Sequence, residues 1–188
     1  MTVLDFTPPL SAGIPLFPGT PCPELAPLAS MEMQQFRETR LAITSHTGTH
    51  MDAPCHFVQG GKTIDQVDLA RCVGPCQVVE GEGTLSREWA KSVLGTGVKR
   101  LLVKGQMQLS LEAAEELAQG GLLLLGIERM SVGEPSDPGP VHRALLSAEV
   151  AVLESCDLSQ VPVGRYFLAA QPLRYGGLDG AQVRPLLL

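Results

Sequence analysis

Excess positive charge is the first thing missing from this sequence: 14 Lys and Arg stand against 20 Asp and Glu, a formal net charge of -6. That balance repels a phosphate backbone and an anionic bilayer alike, so neither nucleic acid nor membrane is expected as a partner. Long apolar runs are missing too. The most apolar stretch, Leu122 to Ile127, falls far short of the ~20 residues that a membrane span needs, and reads as a buried strand. The opening residues Met1 to Phe6 lack the basic start and apolar run of a secretory signal. An even cysteine count is absent. Five cysteines, in a chain too large to depend on disulfides, are expected as free thiols in a reducing, cytoplasmic setting. Cys72 and Cys76 have no histidine near them in the sequence, so burial is expected there and not a zinc pair. Repeats, heptads and low-complexity tracts are also lacking. What is present, 44% hydrophobic and 18% charged over 188 residues, is the composition of one folded domain spanning 1–188 with a real core.

Fifteen prolines and 20 glycines are scattered along the chain, so it turns often. Early segments read as strands and loops: Val3 to Phe6, Met31 to Phe36, then Arg40 to Ser45. In the last, Leu41 and Ile43 alternate with polar residues, the pattern of a half-buried strand. Helices come later. Ser86 can cap one running to Val93. Ser110 can cap another, with Leu111, Ala114 and Leu117 on one face and Gly120 as its stop. A third is expected over Val141 to Ser147. Leu101 to Lys104, Leu122 to Ile127, Val150 to Leu153 and Tyr166 to Ala170 read as strands. Strand-rich at first and alternating afterwards, the chain reads as α/β with a mixed sheet.

Three of the four histidines fall in one short window, Ser45-His46-Thr47-Gly48-Thr49-His50-Met51-Asp52-Ala53-Pro54-Cys55-His56-Phe57. A helix through this window is opposed by its β-branched threonines, Gly48 and Pro54. A straight strand would hold His46 and His50 roughly 13 Å apart, too far to share one ion at ~2 Å from each. A turn at Thr47-Gly48-Thr49 solves the problem by folding His46 back toward His50, and Gly48 permits the backbone angles that such a turn requires. Asp52, two residues beyond His50, projects to the same side of an extended stretch. Two imidazoles and a carboxylate leave coordination positions open, as a catalytic metal site needs. A structural zinc site would be richer in cysteine. A facial triad of the non-haem iron oxygenase kind, built on His50-x-Asp52, would leave His46 and His56 without a role.

This window resembles the signature of the cyclase-like metal hydrolases, the family that includes bacterial kynurenine formamidase and isatin hydrolase. A second block fits the same resemblance: His142 before a short helix, Glu154 beyond it, then Asp157-Leu158. So does the end of the chain, from Val163 to Phe167 and on to Gly177-Leu178-Asp179-Gly180. The resemblance implies a swivelling β/β/α fold, generally a homodimer, acting on a small-molecule substrate. It also implies two divalent ions, zinc or sometimes manganese. His46, His50 and Asp52 would hold one ion, and Asp52, His142 and Glu154 the other. His56 would be the general acid/base for water activated by the metal. A hydrolase of small amides, lactams or lactones is implied, with arylformamidase activity leading; a degenerate, non-catalytic metal binder is the alternative.

The chain departs from that family in three places. Phe17-Pro18-Gly19 stands where the formamidases carry tryptophan against an aryl substrate, which makes Phe17 the candidate substrate contact. Glu128 stands where aspartate is usual. The stretch from Gly105 to Leu109 is much shorter than in relatives, where it often bears a tryptophan. With one Trp, two Tyr and five Phe in all, small substrates are expected beside formylkynurenine.

Overall fold

The structure is a computed structural model and describes residues 2–188. In chain order the elements are β1 (Leu4–Asp5), β2 (Glu24–Ala29), α1 (Met31–Gln34), β3 (Glu38–Ala42), β4 (His50–Asp52), α2 (Leu69–Cys72), β5 (Val73–Glu80), β6 (Gly83–Leu85), α3 (Arg87–Leu94), β7 (Arg100–Lys104) and β8 (Met107–Leu109). They continue as α4 (Leu111–Gln119), β9 (Leu124–Ile127), α5 (Gly139–Ser147), β10 (Ala151–Glu154), β11 (Gly164–Ala169), β12 (Gly180–Gln182) and β13 (Leu186–Leu187).

Nine strands form one mixed sheet in the order β1-β13-β11-β5-β7-β9-β10-β4-β12. Its centre, β5-β7-β9-β10, is parallel. Antiparallel neighbours flank it on both sides, β11 against β5 and β4 against β10. Strands β7, β9 and β10 are buried on both faces and carry near-continuous apolar runs, as a covered parallel sheet demands, whereas burial alternates along β5. On one face Leu101, Val103, Leu125, Ile127 and Val152 meet Ala90 and Val93 of α3, Ala113 and Leu117 of α4, and Leu145 and Leu146 of α5. On the other, Met51, Val78, Leu102, Leu124 and Leu153 pack with Phe6, Leu158, Leu168 and Leu187. An α/β fold with a mixed, strand-rich sheet is therefore what the chain adopts.

The expected caps are present. The Ser86 side chain accepts from Trp89 N and that of Ser110 from Ala113 N, and Gly95 and Gly120 close the two helices. The helix expected at Val141 to Ser147 starts two residues earlier, and the strand expected from Leu122 starts at Leu124. Other expectations fail. Met31 to Phe36 is no strand: one helical turn opens after Ser30 and closes at Gln35, whose backbone is left-handed with φ 62°. The next strand ends at Ala42, and every residue of it is exposed. Among the described residues its only partner is β2 and the two-stranded hairpin has no core to face, so alternation at Leu41 buries nothing. In α4 the buried positions are Ala113, Ala114 and Leu117, while Leu111 is exposed in the first turn. All five cysteines are free, Cys72, Cys76 and Cys156 among the buried residues.

Candidate metal centre

The centre grows from β4 and its two neighbours. In the antiparallel register Glu154 of β10 lies opposite His50, and Gly180 of β12 lies opposite Asp52. Cross-strand partners sit about 5 Å apart at Cα, so pairing alone brings His50 and Glu154 together. Met51 between them points into the core and is fully buried, which sends His50 and Asp52 to the other face. Before β4 the chain turns. Thr47 N donates to Thr44 O, and Gly48 adopts φ +70°, the region that glycine enters without a side-chain penalty. The turn swings His46 back over Asp52, with His46 Nδ1 3.0 Å from Asp52 Oδ1. After β4 a 3₁₀ turn at Pro54–His56 stacks the His56 ring on that of His46, centroids 4.0 Å apart. His142 arrives from the first turns of α5, its Nε2 3.2 Å from Glu154 Oε1 and 3.6 Å from Asp52 Oδ2.

All six polar residues expected at the centre therefore meet in one place. His46, Asp52 and His56 present donor atoms within 4.8 Å of one another, and so do His50, Asp52 and Glu154. The grouping differs from the expected sets in both halves: His56 lies within ligand reach of His46 and Asp52 where His50 was expected, and His50 joins Asp52 and Glu154 where His142 was expected.

The donor atoms suit a divalent cation. His50 Nδ1–H donates to Gly48 O at 2.8 Å, and His142 Nδ1–H donates to Pro138 O at 2.7 Å. Each ring is thereby fixed in the tautomer that leaves Nε2 with a free lone pair, and each Nε2 faces the two carboxylates. Holding one ring nitrogen so that the other can ligate is how proteins prepare metal-binding histidines. Asp52 Oδ2 is buried and has no hydrogen-bond partner. An orphaned carboxylate oxygen is costly unless a cation meets it.

Electrostatics agree. Burial pushes the Asp52 carboxyl up, but in the metal-free centre the protonated forms of His46 and His50, both favoured there, outweigh burial and hold it well below the usual carboxylate range. Glu154 goes the other way, raised by burial and then by the negative charge of Asp52. Burial also lowers His46, yet Asp52 and then Asp179 raise it to about 9. His56 is lowered, chiefly by burial.

Above the carboxylates lies a cavity of about 360 Å³, lined among others by Phe17, His46, His50, His56, Phe57 and His142. Phe17 thus stands where the sequence suggested. Phe57 is a second aromatic wall, its ring stacked on His142 at 4.4 Å, and it was missed although it closes the histidine window. Asp179 was also missed: its Oδ2 lies 3.0 Å from His46 Nε2 and 3.4 Å from His56 Nδ1. The signal available was an aspartate beside glycine in Gly177-Leu178-Asp179-Gly180. Glu128 serves structure: its carboxylate accepts from Gly105 N and Leu158 N, tying together two loops beyond the sheet. Residues 105 to 109 lie outside the cavity lining and lead into the buried strand β8.

Fold and site together define an α/β protein with a buried histidine–carboxylate centre beneath a cavity, of the kind that binds divalent cations. The chain belongs to the cyclase family. A family model described as "Putative cyclase" matches residues 4–94. The chain is 32% identical to kynurenine formamidase of Paracidovorax citrulli (strain AAC00-1), across 97% of this chain and 94% of that one. A solved structure described as a potential metal-dependent hydrolase with cyclase activity is 29% identical, with a TM-score of 0.84 over 99% of this chain and 96% of its own. Isatin hydrolase A from Labrenzia aggregata, 19% identical, shares the fold with a TM-score of 0.84 over 99% of this chain and 93% of its own.

Proposed function

We propose that the protein is a metal-dependent hydrolase of small amides, lactams or lactones, with aryl formamides such as formylkynurenine as leading candidates. It uses two divalent ions, zinc or manganese, on a swivelling β/β/α scaffold formed by residues 1–188 as one domain. The observation that carries this reading is Asp52: a buried carboxylate with an orphaned oxygen, ringed by three imidazoles and Glu154 at the floor of a cavity. His46, His50 and Asp52 would hold one ion, and Asp52, His142 and Glu154 the other. The 32% identical kynurenine formamidase and the 29% identical neighbour described as a metal-dependent hydrolase support it.

A divalent ion in such a site supplies Lewis acidity, which acidifies water and polarises a carbonyl. The remaining work belongs to side chains. His56, held neutral by burial, takes up a proton and returns it to the leaving nitrogen or oxygen. Phe17 and Phe57 flank the substrate, whose size is bounded by a cavity near the small end of the usual range for ligand sites. A non-catalytic structural zinc module fits less well, because structural sites close all four positions, usually with cysteine, whereas this centre opens into a cavity. A one-iron facial triad would use only three of the donors gathered here.

The functional form is a homodimer. The β2–β3 hairpin leaves Leu25, Leu28, Met31, Met33, Phe36 and Leu41 exposed, and a patch of that kind is normally covered by another chain. Five free thiols fit a cytoplasmic setting, and among the described residues no helix is long and apolar enough to cross a membrane.

Elemental analysis of purified protein, alongside a panel of N-formyl anilines, isatin and simple lactones, tests the reading. Close to two ions per chain and metal-dependent turnover of at least one substrate are expected. Protein that carries no metal and takes up neither zinc nor manganese overturns the proposal.

A further inference from the structure

We infer that Asp179 is a positioning residue that decides which nitrogen His46 offers to a metal ion and how His56 is turned; the inference rests on the metal-centre reading above. Asp179 is anchored through its side chain and its backbone. Its Oδ1 accepts from Ser45 Oγ at 2.8 Å, and its backbone carbonyl accepts from Ala53 N at 2.9 Å. The next residue, Gly180, is in register with Asp52 and presses on the His46 ring. A Cβ at Gly180 would stand 2.8 Å from His46 Cε1 and 3.2 Å from Nε2. The remaining oxygen, Oδ2, faces His46 Nε2 at 3.0 Å and His56 Nδ1 at 3.4 Å.

The consequence follows from proton counting. A neutral imidazole carries one N–H, and a carboxylate can only accept. Metal-free His46 faces a carboxylate through each nitrogen, Asp52 at Nδ1 and Asp179 at Nε2, both at 3.0 Å; once an ion replaces the Nδ1 proton beside Asp52, Asp179 holds the remaining proton on Nε2 and leaves the Nδ1 lone pair to the ion. This is the reverse of His50 and His142, whose Nδ1–H groups go to backbone carbonyls and whose Nε2 atoms face inward. Three ligands thus meet the centre through two different nitrogens, and a fixed carboxylate is what turns the odd one. The same oxygen favours the His56 proton on Nδ1 and leaves Nε2 as the free base. One side chain, 133 positions from His46, sets both a ligand and the proton carrier.

Full-length wild type, Asp179→Ala and Asp179→Asn should be compared by zinc competition against a chromophoric chelator, by nitrogen NMR of the imidazoles in zinc-loaded protein, and by melting of the metal-free forms. In wild type one zinc-bound histidine should show Nε2–H and two should show Nδ1–H. Asp179→Ala should weaken zinc binding by about 10–100-fold, the usual cost of losing the partner of a ligating histidine, and should scramble the Nε2–H signal. Asp179→Asn should lie between, because its amide oxygen still accepts from His46 and its shape preserves the fold should the alanine variant not fold. Wild-type zinc affinity with wild-type tautomers in either variant overturns the role of Asp179. Wild-type protein that binds no zinc overturns this inference and the metal reading together.

Discussion

His56 and His46 form a stacked pair in which two equivalent side chains are set apart by their partners. His46 touches two carboxylates through its two nitrogens, whereas the near carboxylate contact of His56 is Asp179 Oδ2 at 3.4 Å, with Asp52 farther off. His46→Ala should therefore lose metal outright. His56→Ala should keep most of its metal and lose on the order of 10²–10⁴ in kcat on a true substrate. Metal content and single-turnover rates of the two variants check this, and His56→Ala arriving metal-free while His46→Ala stays loaded would reverse the roles. The charge on His46 also makes metal-free protein sensitive to alkali. Its folded pKa of about 9 lies above the unfolded value of 6.5. The stabilisation it contributes is then complete below pH 6.5 and is lost as pH rises through 9. Melting in a chelator should show Tm falling across that window. Zinc-loaded protein, where the metal replaces the proton, should hold its Tm.

Helix ends illustrate how local chemistry writes structure directly. Ser110→Ala removes the acceptor for Ala113 N and should cost about 1 kcal/mol, as loss of a helix N-cap usually does; urea denaturation measures it. Elements specified this locally were legible in the sequence: both serine caps, the glycine stop at Gly120, the buried strands, and the turn at Gly48. Within the centre, His46, His50 and Asp52 were legible because one short window carries them, with β4 extended as expected. Other features depend on what a segment packs against. Leu41 alternates correctly for a strand with a buried face, yet its hairpin has no such face. Leu111 has the right spacing for the core, but the first turn of α4 is set by the cap on Ser110 and leaves it outside. Asp179 and Phe57 acquire meaning only through neighbours remote in sequence or across the cavity. The shortened stretch 105–109 was expected to take away a wall that the pocket has in relatives. The lining passes it by, and Phe17 and Phe57 remain as the aromatic surfaces.

At the scale of the molecule, the proposed function makes those two rings and the cavity volume the determinants of substrate choice. Phe17 stands in the loop over the site, away from the ligand set, so Phe17→Ala can be read without disturbing metal. It should lower kcat/KM for an aryl formamide by roughly 1–3 kcal/mol of transition-state binding and leave compact N-formyl amines nearly unaffected. Equal losses on both classes would remove Phe17 from substrate contact. Association is the second property of this scale. The exposed hairpin, with Met33 81% accessible, should be covered in the dimer. Sedimentation should give a dimer for wild type and a monomer for a Met33→Glu, Leu41→Glu double variant; a wild-type monomer would refute the assignment.

The position of β4 between β10 and β12 also has a temporal consequence. The histidine turn is synthesised early, but both strands that flank it come from the last quarter of the chain. The helix-covered layer around α3 and α4 can condense from nearer neighbours in sequence, whereas closing the β10–β4–β12 edge requires very long loops to be drawn shut. Until then His46, His50 and Asp52 lack Glu154, His142 and Asp179, and the acidic floor of the cavity does not exist. On the proposed reading a competent centre is expected late in folding and not as a nucleus for it, and ion capture should keep time with the docking of the last strands.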